Sequence, residues 1–209
     1  MSNPDTKFSP APFHWITRHS PYVTANPRAA AEDELLSLSR EAVVLNLAGL
    51  WGGARDIVNW IPRVCPDKEA VRVKGSLHLV HGRDVARAIV AVHRAPLRAQ
   101  VGASPADLSA AAEKSTPLGR RYLITDLRVY DWWDLASSRP VPPADVAART
   151  AADEHRERVA GWVGEVMDEE RVEGLPRGAE ELGRAMSSRE FWREFGVMPE
   201  VGRWEQGRT

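Results

Sequence analysis

The stretch Ala42–Gly53, AVVLNLAGLWGG, decides the fold class. Over 42–47 it is apolar apart from Asn46 and does not alternate, which is the pattern of a strand covered on both faces. Gly49, Gly52 and Gly53 end it, so the run predicts a central parallel strand followed by a turn.

Working outward, Asn26 followed by Pro27 matches an N-cap with proline at the first helical position. Residues 29–38 are helix formers, with Leu35, Leu36 and Leu38 near the end, so a helix is predicted over 27–39. Downstream, a loop carrying Trp60, Pro62 and Pro66 leads to a second short strand over 77–80. Residues 83–93 then place Val85, Ile89 and Val92 on one helical face, and Pro96 is expected to stop that helix. A third strand is expected over 121–125, with Asp131 capping a short helix that contains Trp132, Trp133 and Leu135. Strand and helix in alternation indicate an α/β fold.

The flanks read differently. Pro4, Pro10, Pro12 and Pro21 fall in the first 25 residues among few aliphatic side chains, so 1–25 is expected to be an irregular arm without a sheet strand. Residues 97–118 are small, polar and proline-interrupted, the composition of a surface excursion. Beyond Pro140, Pro142 and Pro143, the positions Val159, Trp162, Val163, Val166 and Met167 recur at helical spacing, predicting one amphipathic helix over about 144–171. Ser187 with Glu190 three residues on resembles a capping box ahead of Phe191, Trp192 and Phe195. The expected organisation is an arm over 1–25, an α/β core over 26–139 and a helical region over 140–209 packing on that core.

Composition narrows the function. The 209 residues are 43% hydrophobic and 27% charged, in the ordinary globular range. A net charge of −1 supplies no global attraction to phosphate backbones or anionic lipid, so nucleic acid and membrane surfaces are not expected partners. Cys65 is the one cysteine, and no apolar run approaches a membrane span. Residues 1–13 lack the basic start and apolar stretch of a signal peptide, which places the expected location in the reducing cytoplasm.

Local motifs are weak. A dinucleotide loop wants Gly-x-Gly-x-x-Gly opening into a helix, whereas the glycines at 49–53 run on to Asp56, Trp60 and Pro62, which favours a plain post-strand turn. His78, His81 and Asp84 look like metal ligands on paper. Strand alternation sends residues 78 and 81 to opposite faces, so a strand-end histidine and a helix-capping Asp84 are the simpler account. No Gly-x-Ser-x-Gly elbow is present, and Cys65 has no activating signature. Of the eight tryptophans, Trp15, Trp51, Trp60, Trp132 and Trp133 fall in loops or at element ends, where core cover and pocket walls are both built.

Four segments together resemble a known family. They are 27–36 (PRAAAEDELL), 44–53 (VLNLAGLWGG), 77–88 (LHLVHGRDVARA) and 188–199 (SREFWREFGVMP). Their order and spacing resemble the C-terminal half of an extended short-chain dehydrogenase/reductase of the NAD-dependent epimerase/dehydratase type, above all its atypical branch, over about residues 15–202. The resemblance implies a partial Rossmann-like fold and an ancestral NAD(P)-dependent epimerase or reductase acting on a small organic or sugar-like substrate. It implies NAD or NADP as cofactor, with Asn46, Ala48, Gly49 and Leu50 on the cofactor side and Trp51, Asn59, Trp60, His81 and Trp133 around a substrate.

The chain departs from the family at two places. No glycine-rich strand-turn-helix precedes Pro27, so the cofactor half is absent and a truncated form is expected. Counting back from Glu32, the Tyr-x-x-x-Lys pair falls on Thr24 and Arg28, with Tyr22 displaced by two; these three are the catalytic candidates. Arginine holds charge but is a poor adjustable proton donor. The alternative is a non-enzymatic binding or dimerisation module that uses the helix over 144–171 as its contact face. An uncovered edge on the 42–47 strand predicts self-association or a protein partner.

Overall fold

A computed structural model describes residues 13–100, 120–137 and 150–201. In chain order the elements are β1 (His14–Ile16), α1 (Pro27–Leu38), β2 (Val43–Leu47), β3 (Gly49–Trp51), α2 (Ile61–Val64), α3 (Lys68–Arg72), β4 (Ser76–Leu77), β5 (Leu79–His81) and α4 (Gly82–Gln100). There follow β6 (Arg120–Ile124), β7 (Tyr130–Asp131), α5 (Trp132–Ser137), α6 (Ala151–Glu170), β8 (Arg184–Met186) and α7 (Arg189–Glu194). A 3-10 turn over Ile57–Trp60 leads into α2. The architecture is mixed α/β with short parallel strand pairs. No helix among the described residues is long and apolar enough to cross a membrane.

The chain forms two compact units interleaved in sequence. As far as they are described, the first takes Met1–Trp15, Ile57–Leu77 and Val129–Ala185, and the second Ile16–Asp56, His78–Arg128 and Met186–Thr209. The expected divisions at 25/26 and 139/140 do not follow these limits.

In the first unit, Thr150 caps α6 in a reciprocal box with Asp153, which satisfies the N–H groups of both residues. Val159, Val163 and Val166 of α6 are fully buried, against α2, α3 and α5. Each such side chain contributes roughly 1.5–3 kcal/mol by leaving water. Lys68 reaches Glu165 and Glu169, both at 2.6 Å, and Arg72 reaches Glu169 and Glu170. The apolar face of α6 is therefore used inside this unit, which corrects its expected role as a contact face.

In the second unit, β2 pairs in parallel with β6, Val43 opposite Arg120 through Leu47 opposite Ile124, and β3 pairs in parallel with β5. Val80, Ala88, Ala91, Tyr122, Ile124, Phe191, Trp192 and Phe195 make its core. The Trp192 indole N–H donates to the Thr125 carbonyl and to Ser188 Oγ, both at 3.0 Å, so the largest core residue carries no unmet donor. Asn26 caps α1 by accepting from the Arg28 N–H, and Pro27 sits in its first turn, as the sequence predicts.

Several expectations need correction. A strand does lie in the arm: β1 pairs with β8. The single strand predicted over 77–80 is two, because Ser76 and Leu77 pair antiparallel with β7 while Leu79–His81 pair in parallel with β3. The helix expected to stop at Pro96 runs on to Gln100, since a proline removes one intrahelical bond without forbidding the turns after it. Helix α6 starts at Ala151, not 144, where the Thr150 box terminates it; residues 138–149 lie outside the described residues, as do 101–119 of the expected excursion. Ser188, not Ser187, precedes α7 and makes no side-chain cap. Asp84 is fully buried and accepts from the backbone N–H of Glu200 at 2.8 Å and of Val201 at 3.1 Å, so it ties down the C-terminal segment. Finally, β2 is only half-buried and has β6 as its one strand neighbour among the described residues, short of the two-sided cover its apolar run implies.

Candidate functional site

The second unit holds an open cleft of about 410 Å3, inside the range of about 300–1,000 Å3 typical of small-molecule sites. Its wall comes from the arm at 16–23, the first turns of α1, Asn46 of β2 and residues 121–123 of β6. Arg28, Glu32 and Arg121 of that wall form one connected network with Asn46 and the neighbouring Asp33. Glu32 accepts from Arg28 Nε at 3.1 Å, Arg121 Nε at 3.1 Å and Asn46 Nδ2 at 3.2 Å. Asp33 accepts from the Tyr22 hydroxyl at 2.8 Å and from Arg121 Nη2 at 2.8 Å. The Arg121 guanidinium also lies 4.7 Å from the centre of the Tyr22 ring.

Sequence register explains how these groups meet. Adjacent strand residues point to opposite faces, so Arg120 turns to Glu194 at 2.9 Å while Arg121 turns to Glu32 and Asp33. Arg28 and Glu32 are one helical turn apart on α1. Arg18 enters from the arm, reaching Glu190 at 2.7 Å, and its buried Nε has no acceptor among the described residues. Neither Arg18 nor Arg121 was among the expected site residues. The legible signal for Arg121 is a pair of arginines at the head of an otherwise apolar strand.

Of the expected catalytic residues, Tyr22 and Arg28 both line the cleft and Thr24, in an exposed turn, does not. The hydrogen bond from Arg121, then the one from Tyr22, hold the Asp33 carboxyl below the usual carboxylate range. Asp33 thus stays ionised and is a weak base. The arrangement is suited to holding and orienting a molecule.

Of the expected cofactor residues, Asn46 lines the cleft. The Ala48 N–H donates to the Ile124 carbonyl at 3.0 Å and the Gly49 N–H to the His78 carbonyl at 2.9 Å, while Leu50 sits within β3 opposite Val80. These amides are committed to the sheet, and the turn after them closes on itself through Gly52 and Arg55. A dinucleotide pyrophosphate needs free backbone amides at a helix N-terminus, so these residues do not fit that part of NAD or NADP.

The expected substrate residues have other partners. Trp51 is buried, its ring 4.6 Å from that of His81 in edge contact, and its indole N–H has no acceptor among the described residues. His81 Nδ1 accepts from the Arg83 N–H at 3.2 Å. Gly52 lies at φ +114°, and a Cβ there would stand 2.4 Å from His81 Nε2, so the turn needs glycine to accommodate this ring pair. Asn59 is exposed and Trp60 half-buried, both in the first unit. Trp133, also in the first unit, is core: its indole N–H donates to the Val71 carbonyl at 2.8 Å and Arg177 covers its face at 3.7 Å. None of these five lines the cleft.

Among the described residues, no three His, Cys, Asp or Glu side chains gather as a metal-holding group. His78 is engaged on both ring nitrogens, with the Arg128 carbonyl and the Met186 N–H, each at 3.0 Å. Cys65 is buried, and burial pushes its thiol pKa up, the opposite of an activated nucleophile.

Against known proteins, no family model matches the chain, and no curated protein sequence matches it.

Proposed function

We propose that this protein is a derivative of the NAD(P)-dependent epimerase/reductase type, with a partial Rossmann-like second unit whose cleft binds a small organic or sugar-like molecule. The supporting observation is the convergence of Tyr22, Arg28 and Asn46 on one cleft of drug-like size. On this reading the described residues contribute the substrate side, and turnover requires a dinucleotide held by groups other than the amides at 48–49. When bound, the nicotinamide would supply hydride; Arg28 and Asn46 would orient the substrate, and Tyr22 would offer a hydroxyl already held by Asp33.

A second reading, a binding or dimerisation module built on the same half-fold, is favoured by α1. That helix buries no residue, and Leu35 and Leu38 are exposed on it.

Two titrations of the purified 209-residue protein test the first reading. NAD(P)H is expected to give no saturable tryptophan quenching and no rise in melting temperature, because ligands of the folded state stabilise it by mass action. Small organic fragments are expected to perturb amide signals of residues 16–29, 46 and 121–123. Saturable NAD(P)H binding would overturn the assignment of this chain to the substrate side alone. Fragment binding elsewhere, or none, would overturn the cleft as the binding site.

A further inference from the structure

Resting on the cleft as a small-molecule site, we infer that its ligand is a monoanionic carboxylate with an apolar body, in preference to a neutral sugar or a phosphate ester. Arg18, Arg28 and Arg121 all line the cleft, and Arg18 and Arg28 are only partly engaged. Arg28 uses Nε alone, on Glu32; its side chain is 73% exposed and its Nη groups have no partner among the described residues. Arg18 uses Nη2 on Glu190 and leaves a buried Nε without an acceptor. The Arg28 Nη donors, which face open space, are matched best by an anionic acceptor, which makes shorter and stronger bonds than a neutral hydroxyl.

The same network limits the charge of the ligand. Glu32 in the wall, with Asp33 and Glu190 beside it, pairs with the three arginines, so these six groups are close to neutral as a set. The spare donors favour an anion over a neutral group, and repulsion from the same three carboxylates is twice as large for a dianion as for a monoanion. The lining also includes Pro21, Val23 and the Tyr22 ring, apolar surface that suits a hydrocarbon or aromatic tail.

The test compares phenylacetate, phenylacetamide and phenyl phosphate on the full chain, following backbone amides and arginine Nε–H signals by NMR. Phenylacetate is expected to bind with shifts at Arg18, Arg28 and Arg121, and to bind about tenfold or more tighter than phenylacetamide. Arg28→Gln should remove that preference while the spectrum keeps its native dispersion; Arg28→Lys should restore part of it. Equal binding of phenylacetate and phenylacetamide would overturn the inference and leave the cleft as a small-molecule site. Tighter binding of phenyl phosphate would overturn the limit of one charge. Binding of none of the three at millimolar concentration would overturn both the inference and the cleft reading.

Discussion

Each unit contains an arginine laid over an aromatic ring and bonded to a carboxylate, and the two arrangements differ mainly in burial. In the first unit, Arg177 lies 3.7 Å from the Trp133 ring and reaches both oxygens of Asp131, at 2.6 and 3.0 Å, with side chains 8% and 0% exposed. In the second, Arg121 lies 4.7 Å from Tyr22 and reaches Asp33 at 2.8 Å, with side chains 16% and 43% exposed. Arg177 also donates to the Lys74 carbonyl at 2.7 Å, and its own backbone N–H goes to Asp131. The buried set thus closes a loop onto its unit, whereas the open set borders a cleft. Similar arginine–carboxylate–aromatic chemistry is a structural tie where water is excluded and a cleft wall where it is not.

The largest expected effect would break this comparison from the buried side. Asp131→Ala or Arg177→Ala leaves one charge buried without its partner, at a cost of about 3–5 kcal/mol in urea unfolding. Asp33→Ala in the second unit should leave the urea midpoint close to wild type, because its pair with Arg121 is wet. Equal losses at the two sites would erase the distinction between them.

Glycines sharpen it next. A Cβ on Gly75 would sit 2.6 Å from the Leu182 carbonyl oxygen, which is backbone in the first unit and has little room to yield. Gly75→Ala is expected to cost about 1–3 kcal/mol as overpacking. Gly52→Ala meets the movable His81 ring but must also hold φ +114°, so a cost of about 1–3 kcal/mol is expected, with a changed Trp51 emission spectrum as its local signature. A Gly75→Ala protein as stable as wild type would show that the first unit is less rigid than its contacts indicate.

A smaller effect should appear in the cleft. Tyr22→Phe removes the second of the bonds that hold down the Asp33 carboxyl, so its titration, read by carboxyl carbon NMR, should move up toward the ordinary value. Because Arg121 is the larger cause, part of the depression should persist. Complete loss of the depression in Tyr22→Phe would reverse the order of the two partners.

The smallest effect is acid sensitivity at the start of α6. The Asp153 carboxyl is pulled down to about 2 by the Thr150 backbone N–H, the Thr150 hydroxyl and Arg156. A carboxylate depressed in the folded state stabilises it above the unfolded value of about 3.9, and that contribution disappears as pH falls through the folded value. Fraying of the first turn of α6 is therefore expected between about pH 4 and 2, seen as loss of amide protection at residues 151–155. Thr150→Ala should move the fraying to higher pH; an unchanged profile would remove the capping box as its cause.

Much of the local structure was legible from residues 26–38 and 42–51. Asn26 and Pro27 act within one turn of the chain, and the apolar run after Glu41 needs no distant partner to favour extension. The 77–80 segment was less legible, because two adjacent dipeptides pair with different strands in different directions. At the site, Tyr22 and Arg28 could be named from the family resemblance of the 27–36 segment, by counting back from Glu32. Arg18 could not, and Arg121 showed only as one of two arginines heading an apolar strand, since their partners Glu190 and Asp33 stand far along the chain and no periodicity links them.

By itself, the sequence determined the start of α1, the α/β alternation and the apolar face of α6, all set by backbone sterics and by side chains within a few residues of one another. Only the tertiary structure decided which arginine became a buried tie and which a cleft wall. Ion pairs are chosen after folding brings distant segments together, and their strength depends on the water left around them.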